Sequence, residues 1–204
     1  MSNSIYLGGN VKSVYAGGNI KEIYAGSTLV WGGKPVADQV IIDGLSYKTV
    51  KIGSQTWMAE NLQLDVPDSW FINDDEATYG RKGKNYGRLY TWYAAMKIVV
   101  PGWHIPSRAE WEQLISFAGG INVAGSKLKS VLFGGTDDFG FNAMLVGMRN
   151  EYGDYLYVEE EADFISSSEI SASKCDNMWL YGSRFIPYDY SKSYACSVRL
   201  VKDA

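Results

Sequence analysis

The sequence predicts an α+β fold. Short alternating β segments open the chain, two helical patterns follow, and strand-like segments return before a carboxy-terminal stretch dense in Tyr, Ser, Asn and Asp. Helices grouped between sets of strands argue against a parallel βαβ design. The length of 204 residues suits one main domain with a small appendage. Hydrophobic residues at 46% against charged residues at 21% exclude wholesale disorder.

The appendage is read from a repeat: Ile5-Tyr6-Leu7-Gly8-Gly9-Asn10, Val14-Tyr15-Ala16-Gly17-Gly18-Asn19, then Ile23-Tyr24-Ala25-Gly26-Ser27-Thr28. Each unit is a β segment closed by a Gly-containing turn. Units this small need stacked neighbours, supplied by the main domain or by other subunits, so a homo-oligomer through residues 1–37 is an expected partner arrangement. A simple β-meander tether is the plainer alternative. The turns hold no Asp for a calcium-binding nonapeptide repeat, and no Lys-Ser/Thr follows them as in a phosphate loop. Lys34-Pro35-Val36-Ala37-Asp38 reads as a linker, which divides the chain into a β-repeat module at 1–37 and a main domain at 38–204.

The main domain opens with a predicted strand from Gln39 to Ile42, a turn at Asp43-Gly44, a strand from Tyr47 to Ile52, a turn at Gly53-Ser54 and the segment Thr56-Trp57-Met58. Leu89, Trp92, Tyr93 and Met96 recur at helical spacing and predict a helix from Leu89 to Lys97. Ser107-Arg108-Ala109-Glu110 is a capping box, and Trp111, Leu114, Ile115 and Ala118 line one face of the helix it starts, with Gly119-Gly120 as its stop. A short segment around Ala124 to Val131 leads to predicted strands at Phe141 to Val146 and Tyr155 to Glu159, either side of a polar turn at Asn150 to Asp154.

The net charge of −4, with Lys and Arg scattered, argues against a nucleic-acid partner. No run approaches the ~20 apolar residues of a membrane span, so no membrane insertion is expected. Met1-Ser2-Asn3 shows no signal peptide, so export would depend on something else. Cys175 and Cys196 lack metal-ligand spacing and are read as either a disulfide or free thiols.

The stretch of about 165–196 has the composition of a contact surface. Aromatic rings offer large, stiff contact area, and small polar side chains adapt their hydrogen bonds. The candidate ligand-binding residues are Ile170, Ser171, Ser173, Asp176, Asn177, Trp179, Tyr181, Ser183, Arg184, Phe185, Tyr188, Asp189, Tyr190, Ser193 and Tyr194. Trp179, between Met178 and Leu180, suits an inward or an outward position equally. Glu159-Glu160-Glu161 with Asp163, and Asn73-Asp74-Asp75-Glu76, read as solvated faces rather than cation sites. His104, the only histidine, sits between Trp103 and Ile105 and reads as structural. With one imidazole and no paired-thiol site, no catalytic residue, metal or cofactor is expected.

Trp57-Met58-Ala59-Glu60-Asn61-Leu62, Tyr86-Gly87-Arg88-Leu89-Tyr90-Thr91-Trp92, Gly102-Trp103-His104-Ile105-Pro106-Ser107 with Glu110-Trp111, Phe139-Gly140-Phe141, Gly147-Met148-Arg149, Ser166-Ser167-Ser168-Glu169 and Ser197-Val198-Arg199-Leu200-Val201-Lys202-Asp203 together resemble the Fibrobacter succinogenes major paralogous domain family. The resemblance spans nearly all of 38–204. It implies a C-type lectin-like fold of the formylglycine-generating-enzyme-like branch. It further implies a variable protein of a diversity-generating retroelement, whose carboxy-terminal surface is rewritten while the scaffold stays intact. Trp103, Trp111, Phe141 and Val198 to Val201 would then form or edge the core, with residues between Ile170 and Tyr194 on one outer face. The calcium-dependent sugar-binding signatures of lectins are absent. The expected function is non-enzymatic receptor binding, in a phage tail or virion or at a cell surface, with a bacterial surface protein or glycan as partner. The alternatives are a formylglycine-generating-like enzyme and an invariant structural or adhesive module.

Overall fold

The computed structural model describes residues 38–203, and of residues 1–37 only the backbone of Val11–Ala16, Asn19–Ala25 and Thr28–Gly32. The first repeat, the turns at 17–18 and 26–27 and the linker at 34–37 lie outside the described residues. The chain divides into two compact units, Met1–Asp38 and Gln39–Ala204.

In the first unit, β1 (Val11–Ala16), β2 (Asn19–Ala25) and β3 (Thr28–Gly32) form an antiparallel sheet in that order. Its ladder shifts register between Val14 and Tyr15 and again between Ile23 and Tyr24. Both irregularities fall at the Tyr of the repeat, so the period of the sequence is also a period of the backbone.

The second unit starts with β4 (Gln39–Ile42), β5 (Leu45–Ile52) and β6 (Gln55–Met58). Asp43 and Gly44 both take positive φ, 49° and 75°, as a two-residue hairpin whose twist matches its strands requires. After β7 (Ser69–Trp70) come the single-turn helix α1 (Glu76–Tyr79), β8 (Leu89–Thr91), α2 (Trp92–Ala95) and β9 (Trp103–His104). Helix α3 (Arg108–Phe117) and the short α4 (Ala124–Leu128) follow. The remaining strands are β10 (Met148–Arg149), β11 (Tyr155–Leu156), β12 (Ala162–Glu169), β13 (Lys174–Tyr181), β14 (Arg184–Ser191), β15 (Ala195–Ser197) and β16 (Val201–Lys202).

These strands make two sheets. One runs β4-β5-β6-β16-β9, with Val201 paired to both Trp57 and His104. The other runs β11-β10-β15-β12-β13-β14, with β8 also on β15 and β7 on β8. All ladders between these strands are antiparallel except β12 with β15, where Phe164 pairs with Ser197.

The α+β class and the C-type lectin-like fold are therefore corrected. The domain is mostly β, built from curled, largely antiparallel sheets, and α3, at ten residues, is its longest helix. The Leu89–Lys97 segment shows why. Leu89, Tyr90 and Thr91 pair with Ser197, Cys196 and Ala195, and only Trp92–Ala95 is helical. The Thr91 hydroxyl accepts the Ala94 N–H and so starts the helix after the strand. A helical spacing of apolar residues thus spans two elements, because long-range pairing outweighed local propensity. Phe141 to Val146, predicted as a strand, is an irregular segment buried in the core, held by bonds such as Ala143 N–H to Leu128 O. The strand predicted over Tyr155 to Glu159 stops at Leu156, since Tyr157 and Glu159 take positive φ.

Helix α3 follows its sequence signals closely. Ser107 Oγ accepts the Glu110 N–H while Glu110 accepts the Ser107 N–H, a reciprocal cap of the kind worth about 1 kcal/mol. Its face of Trp111, Leu114, Ile115 and Ala118 is buried. Trp111 lies among Trp57, Phe141, Phe164 and Phe185, with ring centroids 4.6 to 6.1 Å apart. A second cluster gathers Tyr47, Met58, Leu62, Tyr90, Ile165, Cys196, Val198 and Leu200, and Trp103 packs on its rim.

His104 joins two carboxylates, with Nε2 2.8 Å from Glu110 and Nδ1 2.6 Å from Asp203, so it ties the last residues of the chain to the cap of α3. Burial alone would lower its pKa, but the hydrogen bonds to Asp203 and Glu110 outweigh it and hold the imidazole above its usual value.

Candidate functional site

The stretch that reads as a contact surface forms the β12–β13–β14 end of the larger sheet. In the β13–β14 hairpin Cys175 pairs with Tyr190, Asn177 with Tyr188, Trp179 with Ile186 and Tyr181 with Arg184, and these eight share one face. Lys174, Asp176, Met178 and Leu180, with Ser191, Asp189, Pro187 and Phe185, share the other. Met178, Leu180 and Phe185 belong to the Trp111 core, so the second face is the inner one over much of its length.

The first face carries the rings. Tyr181 stacks on Trp179 at 5.5 Å and an interplanar angle of 6°, Trp179 meets Tyr188 at 6.1 Å, Tyr188 meets Tyr190 at 5.3 Å, and Tyr190 meets Tyr194 at 5.9 Å. Tyr181 and Tyr188 are 53% and 50% exposed, while Trp179, Tyr190 and Tyr194 are half-buried. Five aromatic side chains thus form one continuous run, with Arg184 exposed at its hairpin end. The ambiguity over Trp179 resolves outward: its indole N–H donates to Glu161 Oε2 at 2.7 Å.

The other exposed candidates fall into four places. Ile170, Ser171 and Ser173 are exposed around the β12–β13 connection, where Ser171 Oγ accepts the N–H groups of Ser173 and Lys174. Ser183 sits at the β13–β14 turn, and its carbonyl accepts the Gly125 N–H at 3.0 Å. A Cβ on Gly125 would lie 2.6 Å from the Ser183 carbonyl carbon, so only glycine lets α4 approach this turn. Asp189 pairs with Lys174 at 2.6 Å, and Ser193 is exposed beyond β14.

Three candidates are not surface residues, and the sequence-derived set is corrected for them. Phe185 is fully buried against Trp111 and Phe164. Asn177 is buried, and its amide donates to the Cys196 sulfur at 3.1 Å. Asp176 is buried on the inner face, 3.2 Å from Arg108. Alternation along the strand turns Phe185 and Asp176 to the inner face, whereas Asn177 lies on the ring-bearing face and is buried there beside Cys196. Phe185→Ala is accordingly expected to cost about 3–5 kcal/mol in urea denaturation. A variant that kept wild-type stability would return Phe185 to the contact surface.

Cys175 and Cys196 are free and buried. Burial pushes the Cys175 thiol to about 11 and Cys196 well above its ordinary value, so neither is an activated nucleophile at neutral pH. Among the described residues no group of three His, Cys, Asp or Glu side chains is arranged to hold a metal ion. No helix of the described residues is long and apolar enough to cross a membrane.

Sequence reasoning missed two anchors of this surface. Lys192, buried between β14 and β15, reaches Glu169 Oε1 and the Ala172 carbonyl, with its ammonium 4.2 Å from the centre of the Trp92 ring. It ties the base of the β12–β13 connection to α2. Asp163, read as part of a solvated acidic run, is 0% exposed. The sequence signal for it was slight: Ala162 and Phe164 alternate to the opposite face of the strand, and only Ile165, two residues on, shares the face of Asp163 and is itself buried.

Fold and site define a mostly β domain with a rigid inner face and an aromatic outer one. The chain belongs to the Fibrobacter succinogenes major domain family, whose model matches residues 50–202. Membership in this family points to a surface or binding-type module. Neither a curated protein nor a solved structure matches the chain.

Proposed function

We propose that the protein is a non-enzymatic binding module that recognises a bacterial surface macromolecule through the outer face of the β13–β14 hairpin. The observation that carries this reading is the run of Tyr181, Trp179, Tyr188, Tyr190 and Tyr194 on one face, backed on the other by Met178, Leu180 and Phe185 in the core. Tyr, Trp and Arg are the residue types that most often dominate binding energy, and rings already packed together lose little entropy on association. The separation of inner and outer positions also suits a surface that changes while its scaffold persists. On this reading the chain is the variable protein of a diversity-generating retroelement, displayed on a phage tail or a cell surface.

The test is a display library of the full chain randomised at Tyr181, Arg184, Tyr188 and Ser193. Most members are expected to fold, because each substitution at such exposed positions shifts stability by about 0.5 kcal/mol or less. Panning on intact bacteria is expected to return binders. A library that unfolds wholesale, or one that folds and never binds, defeats the reading. Sequencing of the locus tests the retroelement: a template repeat differing from codons 165–196 only at adenines, beside a reverse transcriptase, is expected.

A further inference from the structure

One group beside the aromatic run lacks the partners its charge needs. Asp163 of β12 lies opposite Trp179 in the β12–β13 ladder, is wholly buried, and has neither carboxylate oxygen in a well-formed hydrogen bond. Buried polar groups are nearly always paired, and an ionised carboxylate without a partner is among the costliest groups a fold can hold. The groups that act on it from each neighbouring element are acidic or neutral: Glu161 from the segment that enters β12, Tyr190 from β14 and Cys196 from β15. The Tyr190 hydroxyl eases the charged form, but less than burial and Glu161 oppose it. Glu161 is buried as well, adjoins Glu160, and holds the Trp179 indole. Among the described residues, two carboxylates and no counter-charge thus stand beside the rings of Trp179 and Tyr190.

We propose that Asp163 and Glu161, with the rings of Trp179 and Tyr190, form a subsite for the ammonium or guanidinium group of a lysine or arginine side chain on a protein partner. This rests on the reading of the β13–β14 face as the recognition surface, and it names the chemistry recognised there. Three features favour a cation over a neutral sugar. A buried charge is compensated by an opposite charge far better than by hydroxyl groups. Trp is the strongest of the side-chain cation–π acceptors, and the attraction grows as water is excluded. The chain's net charge of −4 also favours approach of a basic partner.

The subsite has a proton balance. Burial, with Glu161 adding to it, raises the Asp163 pKa to about 8, so the free protein holds a proton there at neutral pH. A bound cation takes the place of that proton, which leaves to solvent. Affinity is therefore expected to rise about tenfold per pH unit below 8 and to level off above it.

The experiment uses the full chain and n-butylammonium as a lysine mimic, read by the indole N–H resonance of Trp179 in nitrogen-15 spectra and assigned with Trp179→Phe. A saturable shift is expected, with an apparent Kd that falls about tenfold from pH 6 to pH 7. Asp163→Asn, which retains the shape of the side chain, is expected to weaken binding at least about tenfold, and Glu161→Gln to weaken it less. No saturable shift at pH 8, a pH-independent Kd, or undiminished binding by Asp163→Asn would overturn the proposal. So would an equal response to n-butanol or to cellotetraose. The panning library leaves Asp163 and Glu161 untouched, so binders from it alongside a failed butylammonium titration would sink the cation subsite alone.

Discussion

Asp163→Asn is expected to stabilise the domain at pH 8 and to flatten the decline of its stability with pH. The carboxyl titrates at about 8 in the fold and at its ordinary value near 4 in the unfolded chain. Between these values the folded state binds more protons than the unfolded one. Stability therefore falls as pH rises through this window, by up to about 1.4 kcal/mol per pH unit, and is level above it. Asparagine has no proton to lose and removes this slope. Glu161, which burial also raises, slopes the same way and leaves a smaller residue of the effect. His104 adds the same sign at higher pH: the stabilisation from its bonds to Asp203 and Glu110 is complete below about 6.5 and fades as pH rises through its elevated folded pKa. His104 is partly exposed, so its share is the smaller. Urea midpoints of wild type and Asp163→Asn from pH 4 to 9 measure the difference. Two parallel curves would mean that Asp163 is hydrated or paired in solution.

The second large effect lies at Arg199. Its guanidinium is fully buried and donates to Asn61 Oδ1 and to the carbonyls of Met58, Phe141 and Asn142, with its carbon 4.8 Å from the centre of the Phe141 ring. Burial pulls its pKa down to about 9, against the opposing attraction of the Glu60 and Asp137 carboxylates. Arg199 thus joins the carboxy-terminal segment to the loop after β6 and to the irregular Phe141–Val146 segment. These stretches lack a full ladder, and the guanidinium supplies bonds that a ladder would otherwise provide. Arg199→Met fills similar volume but strands four acceptors, at about 1–3 kcal/mol each where relaxation fails. A loss of about 4 kcal/mol or more is expected, enough to unfold an ordinary domain at 37 °C. Circular dichroism through a urea titration reads it directly. Arg199→Lys is expected to recover only part of the loss, since a point charge cannot serve the same fork of acceptors. Full recovery by lysine would mean that charge, rather than directed hydrogen bonding, is what the site needs.

Some elements are legible in the order of residues alone. The β4–β5–β6 meander follows from Asp43-Gly44, Gly53-Ser54 and the alternation of Tyr47 to Ile52, and α3 follows from its capping box and apolar face. Each of these signals acts within a few residues, where local conformational preference decides. The overall class is not legible, since helical spacing at Leu89–Lys97 conceals a strand whose partner, Ala195–Ser197, lies about a hundred positions away. Phe141 to Val146 has a strand's composition, yet it supplies core volume from an irregular path.

The candidate surface divides in the same way. Its composition and place in the chain, with rings among small polar residues between Ile170 and Tyr194, were set by sequence alone. Local chemistry also determined the turns, the cap of α3 and the family to which the motifs belong. The tertiary structure decided which residues of that stretch face outward. It drew Phe185 and Asp176 to the inner face, buried Asn177 on the ring-bearing face, pointed Trp179 out, and enclosed Asp163 without a counter-charge among the described residues. The physical reason is that a strand has two faces at every step, and only the register with its neighbours and the core beneath them selects which is wet.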